Sequence, residues 1–457
     1  MACAAVLAAV IPGASRSIAA PPGNDSAQSD DHVRLRERAQ RKRSGDMSPA
    51  NEQADTQRPP PPGLAGDWFG LKEFLADRGI GVTARYASET ALNYTGGRRK
   101  AITETGQLDI GALIDLKKLI GLNGGSVQGT VTYRRGHDLG QHAGLGVLQQ
   151  VQEVYGRGQT IRLTQFWYEQ MLAGDQVDLK LGRTAPGEDF AAFSCSFQNL
   201  SFCGSQPGNI AGDYWYNWPI SQWGARARVN LGKIYVQAAA YEQNPRNLDR
   251  GFLEWHFHGA DGVLVPVEIG LVRGAASNGP IGSFKVGGWI STSNAPDVLL
   301  NQRRQPAILA GDTMLQRSSR SGVWVNIQQQ LTGSSKDGKT ERGLSVFANA
   351  TQSDRQTSVV DSQVALGLFY RGLIPWFTED VFGLGIARTH VNDRVADRER
   401  LLAQPTQGSE YAAEVYYGFH PRSWLELRPN LQWVHHPGGY RRADDVGVIG
   451  LKGALTL

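Results

Sequence analysis

The chain has 457 residues, 40% hydrophobic and 20% charged, with a formal net charge of +4. That length suits one large barrel or two ordinary domains, and so thin a basic balance excludes a nucleic-acid footprint, which needs clustered Lys and Arg. Glycine is abundant at 55 residues; without a collagen repeat, such an excess over the usual ~7% implies many turns and closely crossing strands.

Residues 1–20 read as a secretory signal peptide, with an apolar core from Ala2 to Ile11 and a small-residue end, Ser17-Ile18-Ala19-Ala20, although no Lys or Arg precedes the core. Export places Cys195 and Cys203 in an oxidising compartment, where a disulfide between them is expected. Residues 21–62 are rich in Pro, Asp, Arg, Gln and Ser and are expected to be a disordered, solvated segment. Order begins in 63–79, which predict a short periplasmic helix at a barrel entrance. Asp67 is its expected N-cap, and Trp68, Leu71, Phe74 and Leu75 share one face. A membrane-surface anchor is the alternative for this helix.

From residue 80 to 457 the dominant pattern is strict alternation of apolar and polar residues. Leu179 and Leu181 oppose Asp178 and Lys180; Ala225, Ala227, Val229 and Leu231 oppose Arg226, Arg228 and Asn230; Leu425, Leu427, Leu431 and Trp433 oppose Glu426, Arg428, Asn430 and Gln432. Successive strand residues point to opposite faces, so each segment has one greasy and one polar face. A soluble sandwich shares that pattern strand by strand; the count and spacing discriminate. About sixteen strands begin near Ile80, Gly106, Ser126, Gln159, Val177, Trp223, Lys233, Val263, Gly282, Gly322, Leu344, Asp361, Asp380, Glu410, Trp424 and Val446. Connectors after even strands are short, as at 173–176, Gly232 and 420–423. Those after odd strands are mostly long: 136–158, 184–222, 243–262, 292–321 and 390–409. An even count with connector lengths sorted by parity is the pattern of an all-β, transmembrane antiparallel barrel of the bacterial outer membrane. Aromatic residues near turns, such as Trp376, Phe377, Tyr417, Phe419, Trp424 and Trp433, match its interfacial girdles. No segment beyond the leader reaches the ~18 apolar residues of a membrane helix.

The polar strand faces would line a water-filled pore. Candidate lumen residues are Arg85, Arg134, Arg162, Arg183, Arg226, Arg228, Glu414, Glu426 and Arg428. Fixed arrays of donors and acceptors suit sugar hydroxyls, and charges of both signs suit a neutral polar solute. The longest connector, 184–222, is the candidate constriction loop. It carries Glu188, Asp189, Phe190 and Phe193, then the cysteine pair, then Tyr214-Trp215-Tyr216-Asn217-Trp218. The aromatic cluster, which includes Trp215, reads equally as a sugar-stacking platform or as packing against the wall. No catalytic constellation or cofactor motif is present, and neither His256 with His258 nor His435 with His436 has a third ligand at metal-site spacing.

Several stretches are similar to the carbohydrate-selective porins of the porin B type. They include Gly66-Asp67-Trp68-Phe69-Gly70-Leu71, Leu163-Thr164-Gln165-Phe166-Trp167-Tyr168-Glu169-Gln170, Leu179-Lys180-Leu181-Gly182-Arg183, Gly372-Leu373-Ile374-Pro375 and Arg428-Pro429-Asn430-Leu431-Gln432-Trp433. The resemblance runs from Gly66 to the C-terminus and implies a sixteen-stranded outer-membrane barrel that passes sugars by facilitated diffusion. The expected partners are carbohydrate solutes, outer-membrane lipid and the insertion machinery, with a monomer or homotrimer as the assembly. Barrels of this kind commonly end in an aromatic residue, whereas this chain ends Ala454-Leu455-Thr456-Leu457; alternation continues to the end, and insertion is expected. The competing readings are a general diffusion porin for small polar or anionic solutes, a secreted all-β sugar-binding module and an outer-membrane barrel enzyme. The last would need a Ser–His–acid set at the rim, and none can be assembled.

Overall fold

The computed structural model describes residues 63–457 apart from 256, 275–278 and 337–338. The expected signal peptide and Pro-rich segment, and His256, lie outside the described residues.

Sixteen strands form the sheet: β1 (Ile80–Thr95), β2 (Ile102–Asp115), β3 (Gly125–Gly136), β4 (Thr160–Leu172), β5 (Val177–Thr184), β6 (Gln222–Leu231), β7 (Ile234–Gln243), β8 (Gly262–Arg273), β9 (Gly282–Ser291), β10 (Arg320–Gln330), β11 (Lys339–Ser353), β12 (Val360–Arg371), β13 (Val381–Val391), β14 (Ser409–Arg422), β15 (Leu425–His435) and β16 (Val446–Thr456). Each runs antiparallel to its neighbours. β1 closes the ring against β16, with Arg85 opposite Thr456 and Leu92 opposite Ile449. Closure removes the unpaired edges that could not survive in hydrocarbon. β2 begins at Ile102 rather than Gly106, because Ile102 to Thr105 still pair with Leu92 to Glu89 of β1.

The connectors after even strands are all short: 116–124, 173–176, 232–233, 274–281, 331–338, 372–380 and 423–424. Those after odd strands include 137–159, 185–221, 292–319 and 392–408. Burial is reversed relative to a soluble protein. Leu179, Leu181, Val229 and Leu231 are exposed, while the alternating Asp178, Lys180, Arg226 and Arg228 are buried. The apolar band continues around the wall through Ile110, Val267, Ile290, Val325, Leu366, Ile386, Leu431 and Ile449, all exposed. A soluble monomer does not show water a contiguous apolar surface on this scale; a lipid-facing barrel does. Trp376 and Phe377 are exposed on the short-connector side, Tyr411 and Trp433 on the long-connector side, where amphipathic rings meet the two interfaces.

Close crossings explain part of the glycine excess. On the inner wall Trp324 lies across Gly287, and Trp289 across Gly322, each pair in register between β9 and β10. A Cβ on either glycine would sit 2.1 Å from the facing indole, so only glycine lets the ring lie flat on the sheet.

Helix α1 (Leu71–Asp77) precedes β1. Asp67 does not cap it: the N-cap is Gly70, with no side-chain cap bond, because Trp68 and Phe69 turn the chain in the left-handed region just before the helix. No residue of α1 is buried. It is tied to the end of the chain by Lys72 Nζ, which donates to the Leu457 carbonyl at 2.9 Å, and to the connector after β2 by Lys118 Nζ, which donates to the Ala76 carbonyl at 3.1 Å.

Candidate functional site

Residues 185–221 leave β5 and run along the inside of the barrel. The helical turn Pro186–Asp189 sets two carboxylates against the wall. Asp189 accepts from Lys180 Nζ at 3.0 Å and from Arg226 at 2.8 Å. These two cations hold its carboxyl below the usual range against the upward push of burial. Glu188 accepts from Gln165 at 2.6 Å and from the Ala185 N–H at 3.2 Å; burial is the stronger influence and pushes it up to about 7. The chain then passes β8 and β9, where the Ala191 N–H donates to Glu268 at 2.8 Å and Lys285 donates to the Ala192 carbonyl at 3.1 Å. Phe193 and Phe197 pack on Phe347 of β11. The tip reaches β14 to β16. There Glu414 accepts from the N–H groups of Gln198 and Asn199 at 2.9 and 2.7 Å, Arg428 donates to the Ser196 carbonyl at 2.9 Å, and Lys452 donates to the Cys195 and Phe197 carbonyls at 3.1 and 3.0 Å. The Cys195–Cys203 disulfide closes this tip over a sequence separation of 8, which removes conformations the released segment would otherwise gain.

A second connector, 137–159, also folds inward, which sequence reasoning missed. Its Val154 N–H donates to Glu89 of β1 at 3.0 Å, and its Leu148 and Gln149 N–H groups donate to Glu410 of β14 at 2.6 and 3.1 Å. The two connectors join through Glu153 N–H to the Gln198 carbonyl and Leu200 N–H to the Gln150 carbonyl, both 2.9 Å. Lys452 stands at their junction, 2.7 Å from Glu153 and 3.2 Å from Glu89. One signal was legible: Lys452 is the only charge in the last strand, Val446–Thr456, on the face shared with Val446 and Val448.

The predicted lumen residues separate into groups. Arg226 is saturated by Glu169, Asp178 and Asp189 at 3.1, 2.6 and 2.8 Å. Arg183 is covered by connector 244–261, donating to Glu254 and Ser221 carbonyls and to Asn247 Oδ1 at 2.7 Å. Arg162 lies under the same connector, on the Asn247 carbonyl at 2.7 Å. Arg134 is buried and donates to Gln107 at 2.6 Å. Arg228 stacks 3.8 Å from the Tyr235 ring centre. Glu414 is 1% exposed and holds the loop tip. Trp215 is fully buried between Trp289 and Trp324, ring centres 5.3 and 5.4 Å away; its ring packs the loop to the wall and presents no free face. Arg85, Asp109, Trp167, Glu169, Glu426 and Arg428 remain half-buried. Arg85 has no hydrogen-bonded side-chain partner among the described residues, and Glu426 pairs with Arg428 at 2.8 Å. The one described grouping with metal-like spacing, Glu153 with Cys195 and Cys203, has its two sulfurs bonded to each other.

A closed sixteen-stranded antiparallel barrel with an apolar belt, a polar interior and inward-folded connectors defines an outer-membrane porin. Residues 99–457 match the family described as carbohydrate-selective porin, OprB family. The chain is 42% identical over 410 residues to Porin B of Pseudomonas aeruginosa, covering 85% of this chain and 90% of that one. It is 33% identical over 421 residues to the putative porin QuiX of Acinetobacter baylyi, covering 86% and 92%. Its fold matches the high-pH structure of Pseudomonas putida OprB with a TM-score of 0.84 at 39% identity, over 87% of this chain and 99% of that one. The chain therefore belongs to the OprB family of carbohydrate-selective porins and is a channel of the bacterial outer membrane.

Proposed function

We propose that connector 185–221 is the constriction, and that the lumen it narrows selects mono- and small oligosaccharides by contacts with Arg85, Asp109, Trp167, Glu169, Glu426 and Arg428. One observation carries this reading: the loop tip is held by β14, β15 and β16 after entering from β5. Among the half-buried polar groups both charge signs occur, which favours a neutral polyol over an ion. Guanidinium and carboxylate groups exchange several hydrogen bonds with hydroxyls, and the half-buried Trp167 indole, with Lys180 Nζ 4.8 Å from its ring centre, adds aromatic surface beside them. Passage requires that such binding stay weak enough to release the solute. The test is reconstitution in planar bilayers, with conductance titrated by neutral sugars and by small anions. Block by sugars at millimolar concentration is expected. A channel that passes salt freely and is blocked by no sugar overturns the selectivity and favours general diffusion.

A further inference from the structure

Sugar passage makes no use of a polar cleft on the outer wall. Trp433 and Tyr94 flank Gly447 at the external end of β1, β15 and β16. Trp433 is in register with Gly447, and a Cβ on Gly447 would meet the Tyr94 ring at 2.3 Å. Both rings are exposed and lie at the upper margin of the apolar band, above Leu92, Leu431 and Ile449. Immediately beyond them is a cleft of about 670 Å3, lined in part by Arg98, Arg99, Lys100, Trp433, Asp444 and Asp445.

The three consecutive cations are exposed, yet their backbone is fixed from the lumen side. The buried Asn93 donates to the Gly96 and Arg99 carbonyls at 2.8 and 3.0 Å and accepts from the Ala101 N–H at 2.8 Å. Arg99 Nε donates to the His142 carbonyl at 2.8 Å. The side chains of Arg98 and Lys100 make no hydrogen bond or ion pair among the described residues. Of the two carboxylates, Asp445 is engaged by His435 at 2.8 Å. Arg441 and Arg442, exposed on the adjoining connector, add further positive charge beside Asp444.

We propose that this cleft binds the phosphorylated head group of an outer-leaflet glycolipid. Clustered cations at the head-group level are a phosphate site, and Arg forms paired bonds with phosphate oxygens. The aromatic pair sets the depth, since such rings mark the membrane–water boundary. A free anion would need only the cations. A glycolipid also uses the rest of the surface, with its sugar ring against Trp433 and its acyl chains along Leu92, Leu431 and Ile449.

Native mass spectrometry of the detergent-solubilised barrel tests this with bisphosphorylated lipid A, with dephosphorylated lipid A and with inorganic phosphate as competitor. The wild type should retain the phosphorylated lipid. The Arg98→Gln/Arg99→Gln/Lys100→Gln variant should bind it more weakly by on the order of a hundredfold, with sugar block unchanged. Equal binding by the variant, or equal binding of the two lipids to the wild type, overturns the proposal. Displacement of the lipid by millimolar inorganic phosphate would reduce the cleft to a simple anion site and overturn the lipid assignment. The two-lipid comparison needs no variant and decides the matter if the substitutions impair insertion.

Discussion

Replacing Glu414 by alanine isolates the attachment of the loop tip. The carboxylate is 1% exposed and accepts the Gln198 and Asn199 N–H groups at 2.9 and 2.7 Å. Charge-assisted bonds of this kind contribute about 1.5–3 kcal/mol each. Their loss leaves two buried N–H groups without acceptors while the tip is seated, and water satisfies them once it lifts. Other anchors persist, such as Asn199 Nδ2 to Gln432 at 3.0 Å, so the lower end of the range applies. The seated state should lose about 3 kcal/mol, roughly two decades in its population ratio. The sixteen strands pair independently of this contact, so the barrel should still form, as heat-dependent gel mobility will check. In planar bilayers, Glu414→Ala should show larger and noisier single-channel conductance with sugar block weakened about tenfold or more. Glu414→Gln, which keeps one acceptor oxygen, should fall between it and the wild type. A folded Glu414→Ala barrel with wild-type conductance and sugar block would refute the reasoning, because the tip would then not bound the passage.

Three further outcomes are expected. Lys452→Met leaves Glu89 and Glu153 facing one another without their shared cation; a loss of about 3–5 kcal/mol should appear as a lowered thermal unfolding midpoint, partly restored by adding Glu89→Gln. Arg85→Ala breaks no hydrogen bond among the described residues, so the midpoint should hold within about 0.5 kcal/mol. The sugar concentration for half-block should rise about 5- to 30-fold, the loss of 1–2 kcal/mol of hydrogen bonding, and an unchanged value would remove Arg85 from the solute path. Glu188 binds its proton more tightly in the seated loop, its pKa raised by burial from 4.5 to about 7. Its contribution to seating is thus complete below 4.5 and lost as pH rises through about 7. Sugar block measured from about pH 6 to about pH 8 should weaken in the wild type and weaken less steeply in Glu188→Gln; an equal slope in the variant rejects Glu188 as a contributor.

The barrel was legible because strand periodicity and connector parity are local properties. Leu179, Lys180 and Leu181 alternate whatever lies around them, and the even-numbered connectors are short in the sequence itself. The disulfide was legible for a similar reason: two cysteines eight residues apart in an exported chain have few other fates. The course of the connectors was not legible. Connector 137–159 carries Leu139, Val151 and Val154, which read as loop residues, yet it is held inside the barrel by Glu89 and Glu410 from strands far away in sequence. Arg183 sits in a motif that resembles the family, but only the fold reveals that connector 244–261 covers it. Trp215 could have stacked on a sugar or on the wall, and Trp289 and Trp324, some 75 and 110 residues further on, decide for the wall.

The same geometry bears on how charge is divided in the lumen. Glu89, Glu268, Glu410 and Glu414 each accept at least one backbone N–H from an inward connector. A polypeptide folded into a strand-walled tube has N–H groups that no ladder satisfies, and a wall carboxylate is an acceptor-only group suited to them. Sequence alternation cannot distinguish these acids from acids that face solute, since both occupy the polar strand face. With four acids committed to the connectors and Arg226 locked among three carboxylates, the polar face supplies fewer solute contacts than its composition implies. What remains half-open, Arg85 beside Asp109 and Arg428 beside Glu426, pairs opposite charges within reach of one another. A neutral hydroxylated solute can insert its donors and acceptors between such groups, whereas an ion of either sign meets an opposing charge at each pair.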